Sequence, residues 1–179
     1  MILRTALSAV VSTAAGIAVG ATSAAAQDFD PYFEIGAGQV FEENFDTTGI
    51  TARAGLRTRV PSTTFLDAVA AEGEFFYGID GEDTGNVEAK VAYSFSATGR
   101  AIWEVASNVD LFARAGLDVS KAEVEGSGFF AGGEAEDTEV GLLIGAGTEL
   151  RLSPRTGVRF DFSHRNDYNI VQLAYAVRF

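Results

Sequence analysis

From Pro31 onward, hydrophobic and polar residues alternate with a period of two, as expected of strands that keep one apolar face. Between Ile50 and Val60 one face carries Ile50, Ala52, Ala54, Leu56 and Val60, and the other carries Thr51, Arg53, Gly55, Arg57 and Arg59. The pattern returns at Val87–Phe95, with Val87, Ala89, Val91, Tyr93 and Phe95 opposite Glu88, Lys90, Ala92 and Ser94. It returns again at Leu111–Val119, opposite Arg114, Gly116 and Asp118, and at Val140–Leu152, opposite Gly145, Gly147, Glu149 and Arg151. Val171, Leu173, Tyr175, Val177 and Phe179 close the chain. Together these runs predict strands over 31–41, 49–60, 65–79, 86–105, 110–123, 138–152, 157–165 and 168–179. Short connections are expected near Pro61-Ser62, Ser107-Asn108 and Ser153–Arg155, and long ones at Glu42–Thr48, Asp80–Gly85, Gly126–Asp137 and His164–Asp167. Pro31, Pro61 and Pro154 fall at strand ends, where a missing N–H costs little. An even number of strands, with short turns at one end and longer loops at the other, is the layout of an all-β, eight-stranded antiparallel transmembrane up-and-down barrel.

The first residues follow a different rule. Arg4 precedes an uncharged small and apolar stretch, Thr5–Ala21, and Ala24-Ala25-Ala26 precedes Gln27. This is the pattern of a secretory signal peptide cut after Ala26. The chain is thus expected to consist of a leader, 1–26, and one barrel domain, 27–179.

Composition narrows the function. The net charge of −12 argues against nucleic acid, because a phosphate binder needs a basic surface. The chain has no cysteine, which removes disulfide, zinc–thiolate and cysteine-nucleophile chemistry.

Alternation alone does not say which face points out, since a soluble barrel turns its apolar face inward. Three features favour lipid outside. The polar face mixes long charged residues with Gly36, Gly38, Gly55, Gly116, Gly145 and Gly147; glycine weakens a solvated strand but suits a crowded interior. Aromatic residues gather near strand ends: Tyr32, Phe41, Phe75, Tyr77, Tyr93, Phe95, Trp103, Phe160, Phe162, Tyr175 and Phe179, where they could form interfacial girdles. The apolar face carries no charge, as hydrocarbon requires. The expected lumen set is Arg53, Arg57, Arg59, Lys90, Arg114, Arg151, Arg159 and Arg178 against Glu34, Glu72, Glu74, Glu88, Asp118, Glu149 and Asp161. Eight strands leave an interior just wide enough for side chains, so these charges should pair and plug it.

The ending Gln172-Leu173-Ala174-Tyr175-Ala176-Val177-Arg178-Phe179 resembles the C-terminal assembly signal of outer-membrane barrels, with Tyr175, Val177 and Phe179 at its hydrophobic positions. Ala174 stands where that signal usually has glycine. With the leader and the alternating strands, the chain resembles the small outer-membrane barrels of the porin-family or opacity type, similar to the transmembrane domain of OmpA. The resemblance implies insertion by the barrel-assembly machinery and residence among outer-membrane lipid and lipopolysaccharide. "Porin" is a family label in that group and does not imply a channel.

No catalytic, cofactor or metal site is expected. His164 follows Ser163, and neighbours on a strand point to opposite faces, which does not suit a nucleophile–base pair. Asp80–Gly85 echoes a calcium loop, but Val91 stands where the bidentate glutamate belongs. Glu42, Glu43, Asp46, Glu82, Asp83, Glu134, Glu136 and Asp137 put most of the net negative charge in the long loops, which offers an acidic surface to a ligand. The chain is expected to be a monomeric structural or surface-interaction protein. The alternatives are a narrow channel, a lipid A-modifying enzyme and a soluble periplasmic barrel.

Overall fold

A computed structural model describes residues 29–41, 46–61, 64–84, 87–126, 134–165 and 168–179, with backbone only for 81–84, 87–90, 122–126 and 134–137. The expected leader, 1–26, and Glu42 and Glu43 lie outside the described residues.

Eight strands form one ring: β1 (Phe29–Phe41), β2 (Asp46–Arg59), β3 (Ala68–Thr84), β4 (Val87–Ala106), β5 (Val109–Gly126), β6 (Glu134–Arg151), β7 (Thr156–Arg165) and β8 (Tyr168–Arg178). Every sequential pair is antiparallel, and β1 pairs with β8 to close the barrel. Closure matters because backbone groups facing lipid have no water to bond with, and a ring leaves no edge within its height.

The alternation seen in the sequence sets the two faces. Ile35, Ile50, Leu56, Leu111, Leu117, Ile144, Phe160, Phe162, Leu173 and Tyr175 are all exposed on the outside, while Glu34, Arg53, Glu72, Arg114, Glu149 and Arg159 are buried. The apolar face therefore points outward, opposite to the arrangement of a soluble barrel with a ligand pocket.

The connections differ from those expected. The stretch near Pro61-Ser62 is the longer 60–67 segment, whereas Ser107-Asn108 is a two-residue turn. At the other end the strands run on into the expected loops: Asp46–Thr48 belong to β2, Asp80–Thr84 to β3 and Glu134–Asp137 to β6. β7 and β8 have 10 and 11 residues, about what a tilted strand needs to cross the hydrocarbon. β3 to β6 have 17, 20, 18 and 18 residues, so they project beyond that height.

The alternation of Val87–Phe95 also breaks. The β4–β5 register shifts between Val91 and Tyr93, leaving Ala92 as an extra residue. A bulge of this kind leaves one residue unpaired and re-aims the side chains beside it. Val91 is buried inside rather than facing out, and Ala92 beside it is buried too.

Candidate functional site

The lumen is the part of the molecule with the most organised chemistry. Inward positions from all eight strands meet there, and directly opposed residues explain several contacts. Arg53 stands across from Glu34 on β1 and from Glu74 on β3, and it bonds both carboxylates; its Nη2 lies 2.5 Å from Glu74 Oε2.

Two carboxylates act as hubs. Glu74 receives Arg114 Nη1 at 2.6 Å, Gln172 Nε2 at 2.9 Å, and both Arg53 and Arg165. Glu72 receives Arg159 Nη1 at 2.7 Å, lies 3.1 Å from Arg100 Nε, and accepts the Tyr32 hydroxyl. Arg159 also reaches Asp161 at 3.0 Å and Glu34 at 3.3 Å. Asp161 lies 2.9 Å from Arg114 Nη2 and accepts the Ser163 hydroxyl at 3.0 Å. Asp118 accepts Arg165 Nη1 at 3.0 Å and the Tyr168 hydroxyl at 3.1 Å. Arg100 and Arg114 are direct cross-strand partners. That like-charge opposition is destabilising by itself, but each turns to its own carboxylates. An arginine fork suits such multidentate pairing.

A second cluster lies at the turn end. Arg57 bonds Asp110 at 2.9 Å and Glu104 at 3.0 Å, and Arg151 lies 3.1 Å from Asp110 and 3.3 Å from Glu104. Arg178 pairs with Glu149.

Two apolar clusters occupy inward positions on either side of the central network. Toward the turn end are Tyr32, Ala68, Ala70, Ile102 and Phe112; toward the loop end are Val40, Phe76, Val91, Tyr168 and Ile170. Their rings couple to the charges: the Arg159 guanidinium lies 4.1 Å from the Phe112 ring centre, and Arg100 lies 5.1 Å and 5.2 Å from those of Phe112 and Tyr32. Glycines make room for these rings. Gly55 is the cross-strand partner of Tyr32, and Gly147 that of Phe112. A Cβ on Gly55 would collide with the Tyr32 ring, and one on Gly147 with the Phe160 carbonyl oxygen and, at 2.5 Å, with the Phe112 ring.

Of the expected lumen residues, Glu34, Arg53, Arg57, Glu72, Glu74, Arg114, Asp118, Glu149, Arg159 and Asp161 are buried together, and Arg151 and Arg178 sit half-buried at its turn-side mouth. Arg59 differs. Its side chain is 75% exposed and lies 3.6 Å from Glu104, because β2 ends there and leaves it at the rim. The side chains of Glu88 and Lys90 lie outside the described ones. Tyr32 corrects another expectation: it sits inside, hydrogen-bonded to Glu72, and not in an interfacial girdle. Arg100, Arg165, Asp110 and Gln172 are also buried in the lumen, beyond the expected set. Arg100 shares its facing with Ser94, Ser96 and Thr98, and Arg165 with Asp161 and Ser163, a parity visible in the sequence.

Ser163 is fully buried, whereas His164 is exposed, its Nδ1 3.1 Å from Asn169 Oδ1. The two point to opposite faces and do not form a catalytic pair. The backbone of 80–84 is strand, not a calcium-type loop.

The sequence matches the family model for the outer membrane protein β-barrel domain over residues 11–179. No curated protein matches it. Among solved structures, the barrel is similar to Ail, the attachment invasion locus protein of Yersinia pestis, crystallised with the heparin analogue sucrose octasulfate (TM-score 0.59, 18% identity, covering 85% of this chain and 99% of that one). It is also similar to Neisserial surface protein A (TM-score 0.52, 16% identity, 84% and 95% covered) and to the N-terminal barrel of Pseudomonas aeruginosa OprF (TM-score 0.52, 13% identity, 85% and 100% covered). At these identities the likeness concerns the fold. With the family model spanning nearly the whole sequence, the chain belongs to the outer-membrane protein β-barrel domain family.

Proposed function

We propose that this protein is a structural and surface-interaction component of the outer membrane, monomeric, with a lumen closed to solutes and an acidic outer end that meets its partners. One observation carries the closed lumen: the interior holds a lattice of arginine–carboxylate pairs between two apolar clusters. A water-filled pore needs a wetted polar wall, and here each central carboxylate is engaged by at least one arginine. Opening a path would leave several buried charges without partners, each at a cost of several kcal/mol, roughly.

The export route follows from the leader, cut after Ala26. Insertion follows from the ending, with Tyr175, Val177 and Phe179 read by the barrel-assembly machinery. Contact with lipopolysaccharide at the acidic end would run through bridging divalent cations. Binding of a polysulfated ligand, the feature named for the Ail complex, does not suit an outer end this acidic and is not carried over. No catalytic role is assigned. The narrow-channel alternative predicts solute uptake, so the test is swelling of liposomes loaded with the refolded barrel. Swelling in a small sugar no faster than in empty liposomes supports the closed lumen, and rapid swelling overturns it.

A further inference from the structure

The barrel is not closed over its full height. β5 pairs with β6 from Glu134 to Arg151's neighbour Leu150, but β7 pairs with β6 only from Leu143 onward. β6 from Glu134 to Leu142 therefore has a strand on one side and, among the described residues, none on the other. Nine residues of free edge correspond to about 30 Å of strand. On the opposite flank the corresponding overhang is short: β3 pairs with β2 as far as Gly81 and continues only to Thr84. The side chains agree with the pairing. Thr138, Glu139 and Val140 are consecutive and all exposed, so neither face of β6 packs against the barrel there; Val140 and Leu142 are 66% and 71% exposed.

Such an edge presents unpaired N–H and C=O groups, a template for one more strand. The charge on it selects the occupant. Glu134, Glu136, Asp137 and Glu139 lie in this stretch with no basic residue. The register sets Glu134 opposite Glu125 and Glu136 opposite Glu123, and it continues from Glu125 to Glu88 and from Glu88 to Asp83. The register thus gathers an acidic run on adjacent strands at this end, and a cationic strand beside it is complementary in charge. A second copy of the chain would instead bring the same acidic run against itself.

Resting on the surface-interaction reading above, we propose that the free edge of β6, Glu134–Leu142, takes an extended lysine- or arginine-rich segment of a partner protein as a ninth strand. Main-chain bonds hold the segment, and the carboxylates choose its sign.

The test uses the whole barrel in lipid nanodiscs and a fluorescent ten-residue peptide of alternating lysine and valine, followed by anisotropy. The comparison peptides replace lysine with glutamate, or keep every lysine but carry N-methyl groups on four central residues, which removes main-chain donors from both edges. The lysine peptide is expected to bind. The glutamate peptide should not, and the methylated one should bind at least about ten-fold more weakly, because several main-chain bonds are lost. Combined reversal by E134K, E136K, D137K and E139K should invert the preference toward the glutamate peptide. If that variant does not fold, the methylated peptide still decides. Equal binding of methylated and unmethylated peptides would show attraction without strand addition and overturn the proposal, as would no binding or a β6-dependent dimer. A silent barrel that ignores the peptide contradicts this inference alone. A conducting barrel that binds it contradicts only the closed lumen.

Discussion

Arg159 on β7 places Nη1 2.7 Å from Oε1 of Glu72 on β3, across the centre of the barrel and 87 residues apart in sequence. Both side chains are fully sequestered from solvent. Buried pairs of this kind add little over well-packed apolar residues, but removing one partner strands the other. Arg159→Met is therefore expected to destabilise the barrel by about 3 kcal/mol or more, read as a shift in the urea midpoint for folding into lipid vesicles. Glu72→Leu alone should also be costly. The double variant should cost less than the sum, with a coupling of order 1 kcal/mol or more. Additive effects would show that the two residues do not share a network.

The lumen glycines give a sharper steric test. Gly55→Val would drive a side chain into the Tyr32 ring, and Gly147→Val into the Phe160 carbonyl and the Phe112 ring; each is expected to destabilise by about 1–3 kcal/mol. Gly73→Ala meets nothing within 4 Å and should leave the urea midpoint nearly unchanged. Equal tolerance of all three would argue that Tyr32 and Phe112 do not fill the lumen.

The strands were legible because period two survives along most of the chain, and the outward apolar face follows from the same alternation. Two local features hid the rest. The bulge at Val91–Tyr93 re-aims side chains inside a strand that reads as regular, and nothing in its alternating apolar residues marks the change. Tyr32, Phe76, Ile102 and Phe112 share their facing with Glu34, Glu74, Arg100 and Arg114 respectively, but an apolar residue on a charged face carries no sequence mark that separates a lumen cluster from an interfacial one. The loop-side extensions of β3, β5 and β6 are hidden by acidic and glycine-containing stretches that resemble loops, whereas β4 has the 20 residues its alternation predicts.

The outward face predicts a depth-dependent penalty. Leu117 is 53% exposed and is read as facing lipid. Leu117→Arg is expected to cost about 2–4 kcal/mol if it lies near the membrane midplane, seen as weakened folding into vesicles. No penalty would place that face in water.

The C-terminal residue separates assembly from stability. Phe179 is 77% exposed, and its backbone N–H bonds Pro31 O at 3.0 Å; a change of side chain keeps that bond. Phe179→Ser should reduce the heat-modifiable outer-membrane form in cells while leaving refolding from urea in vitro nearly unaffected. Equal loss in both settings would make Phe179 a stability residue and not an assembly signal.

Single-channel recording of the refolded barrel in planar bilayers tests the closed lumen most directly. The account predicts a silent membrane at high protein load under moderate voltage, with lipid insertion verified by the mobility shift on boiling. Reproducible unitary steps from the unmodified, fully inserted barrel would contradict it, because ions would then be crossing the layer that Arg159 and Glu72 hold closed.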